Sequence, residues 1–289
     1  MAPPRVFLTG PMFGGIVGSM LCVTTFLYLN HDRSEKGWGT AKATQLTGYW
    51  PAATGDFNWC EPDYIYSRYV MELWNSLSSL CFLVGPAYLW SSARDWEVRF
   101  NLLMVVAIGL GSAAFHGTLL YEAQLLDELP MICYIVHTTV LLARSDASCP
   151  TSVKLCIVGL CILLGSTARE NPAHKAGRVV MVLGFSGCFI WLAFSMASAC
   201  AELDKRTGSP VFATYCQRAS LVTIVAIVAW ITDNLACNSL HSLPFELPYP
   251  QLHAAVWHTG MAYTCYCLCY IVLNKQEQYS ASIRARKSE

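Results

Sequence analysis

Eight stretches of this chain are apolar over about the thickness of a bilayer, and nothing constrains its fold more. They cover residues 7–29, 69–92, 99–120, 124–143, 151–168, 178–200, 214–236 and 250–273. A helix needs about 20 apolar residues to cross the hydrocarbon core. Within lipid, every backbone N–H and C=O must be bonded inside the protein, which leaves helices or a closed barrel. The runs are continuously apolar rather than alternating, which excludes the barrel. The pattern predicts an all-α polytopic membrane protein, a seven-transmembrane helix bundle built from the last seven runs plus an additional N-terminal apolar helix. Composition agrees: 54% of residues are hydrophobic and 13% charged, against roughly 25% charged in soluble domains. With a formal net charge of zero, nothing attracts nucleic acid.

The first run, preceded by Arg5 and followed by HDRSEK, is longer than the roughly 7–15-residue core of a signal peptide. It reads as an uncleaved signal anchor, with a cleaved signal as the alternative, and with a luminal linker it fills residues 1–45. Residues 46–275 form the seven-helix domain, and 276–289 a polar, basic tail expected to be mobile. Residues 31–68 read as a loop with an interfacial segment. Alternate loops divide the 19 Lys and Arg residues twelve to seven, and the richer set contains the tail. By the positive-inside rule the tail is cytosolic, and residues 31–68, 117–123 and 237–249 face a lumen. The expected location is the endoplasmic reticulum or Golgi membrane, with no obligate protein partner.

Chemistry-bearing side chains gather at the luminal ends of the runs. Ser112 and His116 are four apart and share a helix face. Asp127 begins the next run, and His253 and His258 begin the last. Three histidines with an open coordination position are the ligand set of a catalytic zinc, which acidifies water and polarises a carbonyl. Asp127 could take the proton of that water, and Ser112 could hold an oxyanion. The competing reading is a set of polar helix caps. A second group, Asn58, Trp59, Glu61, Asp63 and Glu72, offers closely spaced oxygens that suit calcium, or else a solvated acidic loop. Asp233 and Asn234 end an apolar run, as a polar helix terminus or as support for a metal shell. Most of the 14 cysteines lie in apolar runs, but Cys60 and Cys237 sit in polar segments beside carboxylates.

The stretches GYWPAATGDFNWCEPDY (48–64), ELWNS (72–76), GSAAFHGTLLYEAQLLDELPMI (111–132), WITDNLACNSL (230–240) and LHAAVWH (252–258) resemble the alkaline ceramidases, seven-helix membrane amidases. The resemblance spans about residues 46–275. It implies zinc on His116, His253 and His258, with Asp127 and Ser112 catalytic. It also implies calcium on Asn58, the Trp59 carbonyl, Glu61, Asp63 and Glu72, and a disulfide joining Cys60 to Cys237. The implied activity is hydrolysis of a ceramide amide by zinc-activated water within the membrane, giving a sphingoid base and a fatty acid. A receptor-like zinc protein or a hydrolase of another lipid is the alternative. Two departures stand out. Asn58 and Asp63 exchange the residue types of the family loop, and the distal histidines are five apart rather than four. Five residues on a regular helix turn the second imidazole by about 140°, so a π-bulge is expected between them. Otherwise one ligand is lost, or His241 or His137 substitutes.

Overall fold

The computed structural model describes residues 47–144, 148–246 and 249–288. The first apolar run, and with it the signal-anchor reading, lies outside these residues. The remaining seven runs become seven helical rods, and no strand occurs among the described residues. Rod α1 comprises Leu73–Ser79, a 3₁₀ turn Leu80–Leu83 and Val84–Leu89. It is followed by α2 (Trp96–Thr118), α3 (Tyr121–Ala143), α4 (Thr151–Ser166), α5 (Pro172–Thr207) and α6 (Val211–Leu235). Rod α7 starts as the π-helical turn His253–His258 and continues as the α-helix Thr259–Ser288. Rods α2, α3, α5, α6 and α7 are long and apolar enough to cross a membrane. This is a polytopic all-α membrane protein.

The rods close into a ring in the order α1, α2, α3, α5, α6, α7, with α7 packing back on α1 and α4 lying outside against α3 and α5. Two glycines let α2 fit between its neighbours. A Cβ on Gly109 would come within 2.9 Å of Phe82 Cβ on α1, and a Cβ on Gly111 within 2.1 Å of the Leu126 carbonyl oxygen on α3. That carbonyl is special, because Pro130 lies four residues on, inside the helix. Proline has no N–H to bond it. Gly111 therefore packs where the first turns of α3 are opened, next to Asp127.

Cap chemistry explains why α5 is longer than its apolar run. Asn171 accepts from Ala173 N, Pro172 takes the first turn, and Gly208 closes the helix in the left-handed region at φ 68°. This is the expected asymmetry of helix ends. Rod α7 continues through the polar tail to Ser288. Residues 276–288 contain no Gly or Pro, and Gln, Glu, Ala, Arg and Lys favour the helix.

Residues 47–72 form no helix but are tied to the end of α2. Met71 N donates to Gly117 O, and Glu72 N to His116 O, both at 3.0 Å. Thr54 N and Gly55 N donate to Leu119 O. Leu119, fully buried, adopts φ 48°, a strained conformation for a branched side chain. The docked loop holds it there.

Candidate metal centre

His116 ends α2, and His253 and His258 open α7. All three side chains are buried, at 1–2% exposure. Their ring centroids form a triangle with sides of 5.1, 5.1 and 4.6 Å. One nitrogen from each ring lies within 4.8 Å of the others, close enough to share one ion. The π-helical turn makes this possible. Its i→i+5 closure brings residues five apart onto one face, which a regular helix cannot do.

The outer nitrogens are held in different ways. His116 Nδ1 bonds Glu72 Oε2 at 2.5 Å, and His258 Nδ1 bonds Ser78 Oγ at 2.7 Å. Such partners fix the tautomer and aim the other nitrogen inward. His253 stacks on Trp59 with centroids 3.9 Å apart, and its Nδ1 has no hydrogen-bond partner despite being buried. A buried nitrogen left unpaired costs about 1–3 kcal/mol. Three converging imidazoles, two of them held from behind by Glu72 and Ser78, bring one nitrogen each close enough for a metal ion to complete the set.

Beside the imidazoles opens a cavity of about 250 Å³. Ser112, Asp127, Trp59 and the three histidines line it, together with mostly apolar residues of α1, α2, α3, α5, α6 and α7. Ser112, one turn before His116, is buried and lies 3.1 Å from Ser79 Oγ, whose single hydrogen goes to Asn75 O at 2.7 Å. Nothing else in the described structure bonds the Asp127 carboxyl. A carboxylate, a hydroxyl and three neutral imidazoles facing an apolar cavity can perform general-base chemistry on a bound carbonyl compound.

The acidic loop sits directly above. Glu61 accepts backbone N–H from Trp74 (2.7 Å) and Asn75 (2.8 Å), capping α1 from outside its own helix. Glu72 accepts from Trp59 N at 2.9 Å and from Asn75 Nδ2 at 3.0 Å, besides bonding His116. Asn58 Nδ2 donates to Asp63 Oδ2 at 3.2 Å, while Asp63 Oδ1 is buried with no partner. Burial pushes the Glu61 carboxyl up to about 7, with the charge of Glu72 adding to it, and burial also raises Asp63. The loop therefore contains an orphaned carboxylate oxygen and acids whose charges lack a counter-ion, which fits a hard cation. Asp63, Glu61 and Glu72 do not converge as tightly as the imidazoles do. Cys60 and Cys237 are joined, Cα to Cα 5.4 Å apart, clamping this loop to the segment after α6.

A family model described as Ceramidase matches residues 51–285. The chain is 31% identical over 227 residues to alkaline ceramidase 1 of Homo sapiens, covering 73% of this chain and 79% of that protein. It is 42% identical over 104 residues to alkaline ceramidase 3 of Mus musculus, covering 34% and 39% respectively. Against alkaline ceramidase YPC1 of Saccharomyces cerevisiae it is 37% identical over 148 residues, covering 50% and 43%. The chain belongs to the alkaline ceramidase family.

The fallback histidines are engaged elsewhere. His241 Nε2 donates to Cys60 O at 2.8 Å and its ring stacks on Tyr249. His137 lies twenty-one residues beyond His116, on α3, bonded to Asn101 (2.5 Å) and Glu97 (2.7 Å). Sequence reasoning did not single out Ser78, nor the contact of Glu72 with His116. The signal was present in α1, where Glu72, Asn75, Ser76 and Ser79 fall on one face of an apolar helix and turn inward. Also unanticipated is a bracket around Glu128, which lines the cavity. Asp56 pairs with Arg169 and Arg178, Arg178 pairs with Glu128, and Gln124 bonds both acids. It ties the loop to α3 and α5 beside Asp127.

Proposed function

We propose that this protein is an intramembrane zinc amidohydrolase that cleaves ceramide, with zinc on His116, His253 and His258. The observation that carries the reading is the convergence of three buried imidazoles in one cavity with Asp127 and Ser112. When bound, zinc supplies Lewis acidity, polarising the amide carbonyl and lowering the pKa of nearby water to about 7. The chain's own groups do the rest. Glu72 and Ser78 hold His116 and His258 in register. Trp59 and the apolar wall exclude bulk water, which strengthens every charge interaction inside. The Asp127 carboxylate accepts the proton of the attacking water as its oxygen adds to the carbonyl carbon. Ser112 donates to the carbonyl oxygen as negative charge develops there. Asp127 then returns the proton to the amide nitrogen as the C–N bond breaks. A sphingoid base leaves, and a fatty acid remains. The substrate enters sideways from the bilayer, so the partners are a ceramide-type lipid and the membrane itself.

We assign the loop of Asn58, Trp59, Glu61, Asp63 and Glu72 to calcium, in the lumen of the endoplasmic reticulum or Golgi, where a Cys60–Cys237 disulfide persists. A pH signature follows. Folded Glu61 keeps its proton up to about pH 7, whereas its ordinary value is 4.5. Stability from this group is therefore greatest below 4.5 and falls as pH rises through 7. Chelator-treated protein is expected to melt several degrees lower at pH 8 than at pH 5.5. Added calcium should restore the loss at pH 8 and do little at pH 5.5. A Glu61→Gln variant with the same chelator-dependent pH slope as wild type refutes the assignment.

The central test measures bound metal and amide hydrolysis together on purified protein. We expect stoichiometric zinc, loss of ceramide hydrolysis on stripping, and recovery on adding zinc back. Hydrolysis that survives complete stripping overturns the reading.

A further inference from the structure

Two of the three imidazoles are aimed from behind by side chains, and His253 is not. Glu72 holds His116 and Ser78 holds His258, whereas His253 Nδ1 has no partner and the ring meets the face of Trp59. Stacking fixes the plane of a ring but not its rotation within that plane. The aim of His253 therefore depends on the backbone that carries it, and His253 is the first residue of the π-helical turn. In regular α register it would point about 140° away from His258. Whatever holds the turn in π register holds the third imidazole in the triangle.

The first amides of a helix have no acceptor inside it, and Leu252 at the N-cap position offers no side-chain hydrogen bond. A carboxylate from another helix takes that place. Asp233, in the last turn of α6, is fully buried. Its Oδ1 accepts from Tyr249 OH. Its Oδ2 makes no close hydrogen bond, and the backbone N–H groups of His253 and Cys60 face the carboxylate. Negative charge is favourable at a helix N-terminus. Glu61 serves α1 in the same way, through Trp74 N and Asn75 N. Tyr249 also stacks on His241, whose Nε2 donates to Cys60 O. The end of α6, the loop around Cys60 and the chain entering α7 thus meet at one carboxyl group. Asn234, beside it, only bonds back to Trp230 O within α6.

We propose that Asp233 is a positioning residue that fixes the π-helical turn of α7 and, through it, the aim of His253. The proposal rests on the reading of the three histidines as a zinc site. Asp233 is not among the residues that line the cavity, so it acts through the backbone of His253 and through Tyr249 rather than on a substrate. Without its charge the turn relaxes towards α register. His253 then leaves the triangle, while His116 and His258 stay held by their own partners.

The test uses purified full-length protein. It measures zinc affinity by chelator competition and, with cobalt in place of zinc, the visible absorption that reports coordination. Asp233→Asn keeps the size of the side chain and removes its charge. We expect it to weaken zinc by about 10–100-fold and to lower the cobalt absorption as water replaces His253. Tyr249→Phe removes the donor to Oδ1 and should move both readings the same way, to a smaller extent. Deletion of Ala255, an exposed residue of the turn, gives the histidines the four-residue spacing that a regular helix accepts. In that background Asp233→Asn should leave zinc affinity close to that of the deletion alone. A lower melting temperature in Asp233→Asn with wild-type zinc affinity and cobalt spectrum overturns the proposal, and so does an undiminished loss in the deletion background. Where Asp233→Asn or the deletion yields no folded protein, Tyr249→Phe decides, and wild-type values for both readings overturn the proposal. Wild-type protein that binds neither metal overturns the zinc reading, and the role of Asp233 with it.

Discussion

Asp127→Asn is expected to lower kcat for ceramide hydrolysis by about 10²–10⁴-fold while leaving zinc content at the wild-type level. His116→Ala is expected to lose both. The contrast follows from where the two groups sit. His116 is one corner of the imidazole triangle and receives Glu72 from behind, so its removal takes away a proposed ligand and leaves a buried carboxylate short of a partner. Asp127 touches none of the three rings through any hydrogen bond in the described structure. It lines the same cavity from α3, beside the point where Gly111 and Pro130 shape the backbone. Asparagine keeps its size but cannot accept a proton near neutral pH. Metal analysis with single-turnover kinetics separates the two outcomes. Asp127→Asn protein with wild-type single-turnover rates removes Asp127 from the proton path, and zinc-replete His116→Ala protein removes the histidine from the ligand set.

The helices were the easily read part of the chain, because continuous apolar runs have only one solution in lipid. Run boundaries were less legible. Asn171, Pro172 and Gly208 extend α5 beyond its apolar stretch through cap chemistry, and hydropathy does not register caps. The spacing of His253 and His258 was informative because it conflicted with a regular helix, and the π-helical turn resolves that conflict. Which face of α1 looks inward was harder. Ser78 and Glu72 reach their histidines across sequence separations of 180 and 44 residues, and contacts that long depend on how the ring closes. Leu119 shows the same limit. Its left-handed conformation is imposed by a loop more than fifty residues earlier and leaves no mark in the local sequence.

Glu72→Gln is expected to weaken zinc binding by about 10–100-fold and to lower the melting temperature, although glutamine matches glutamate in shape. Three donors converge on the native carboxylate: Trp59 N and Asn75 Nδ2, together with His116 Nδ1. A carboxylate accepts all three, whereas an amide offers one acceptor oxygen and turns its own NH₂ towards donors. At least one buried donor then goes unmet, at about 1–3 kcal/mol, and His116 loses the group that fixes its tautomer. The loss also spreads upward, since Trp59 carries both the stacking face for His253 and a backbone N–H anchored on Glu72. One side chain thus connects the acidic loop to two of the three imidazoles. Zinc affinity measured by chelator competition, with and without calcium, checks the argument. In wild type, calcium should tighten zinc by ordering Trp59 and Glu72 together, and in Glu72→Gln this dependence should vanish. Wild-type zinc affinity in the variant, with its calcium dependence intact, means that the loop and the metal centre are neighbours without being coupled.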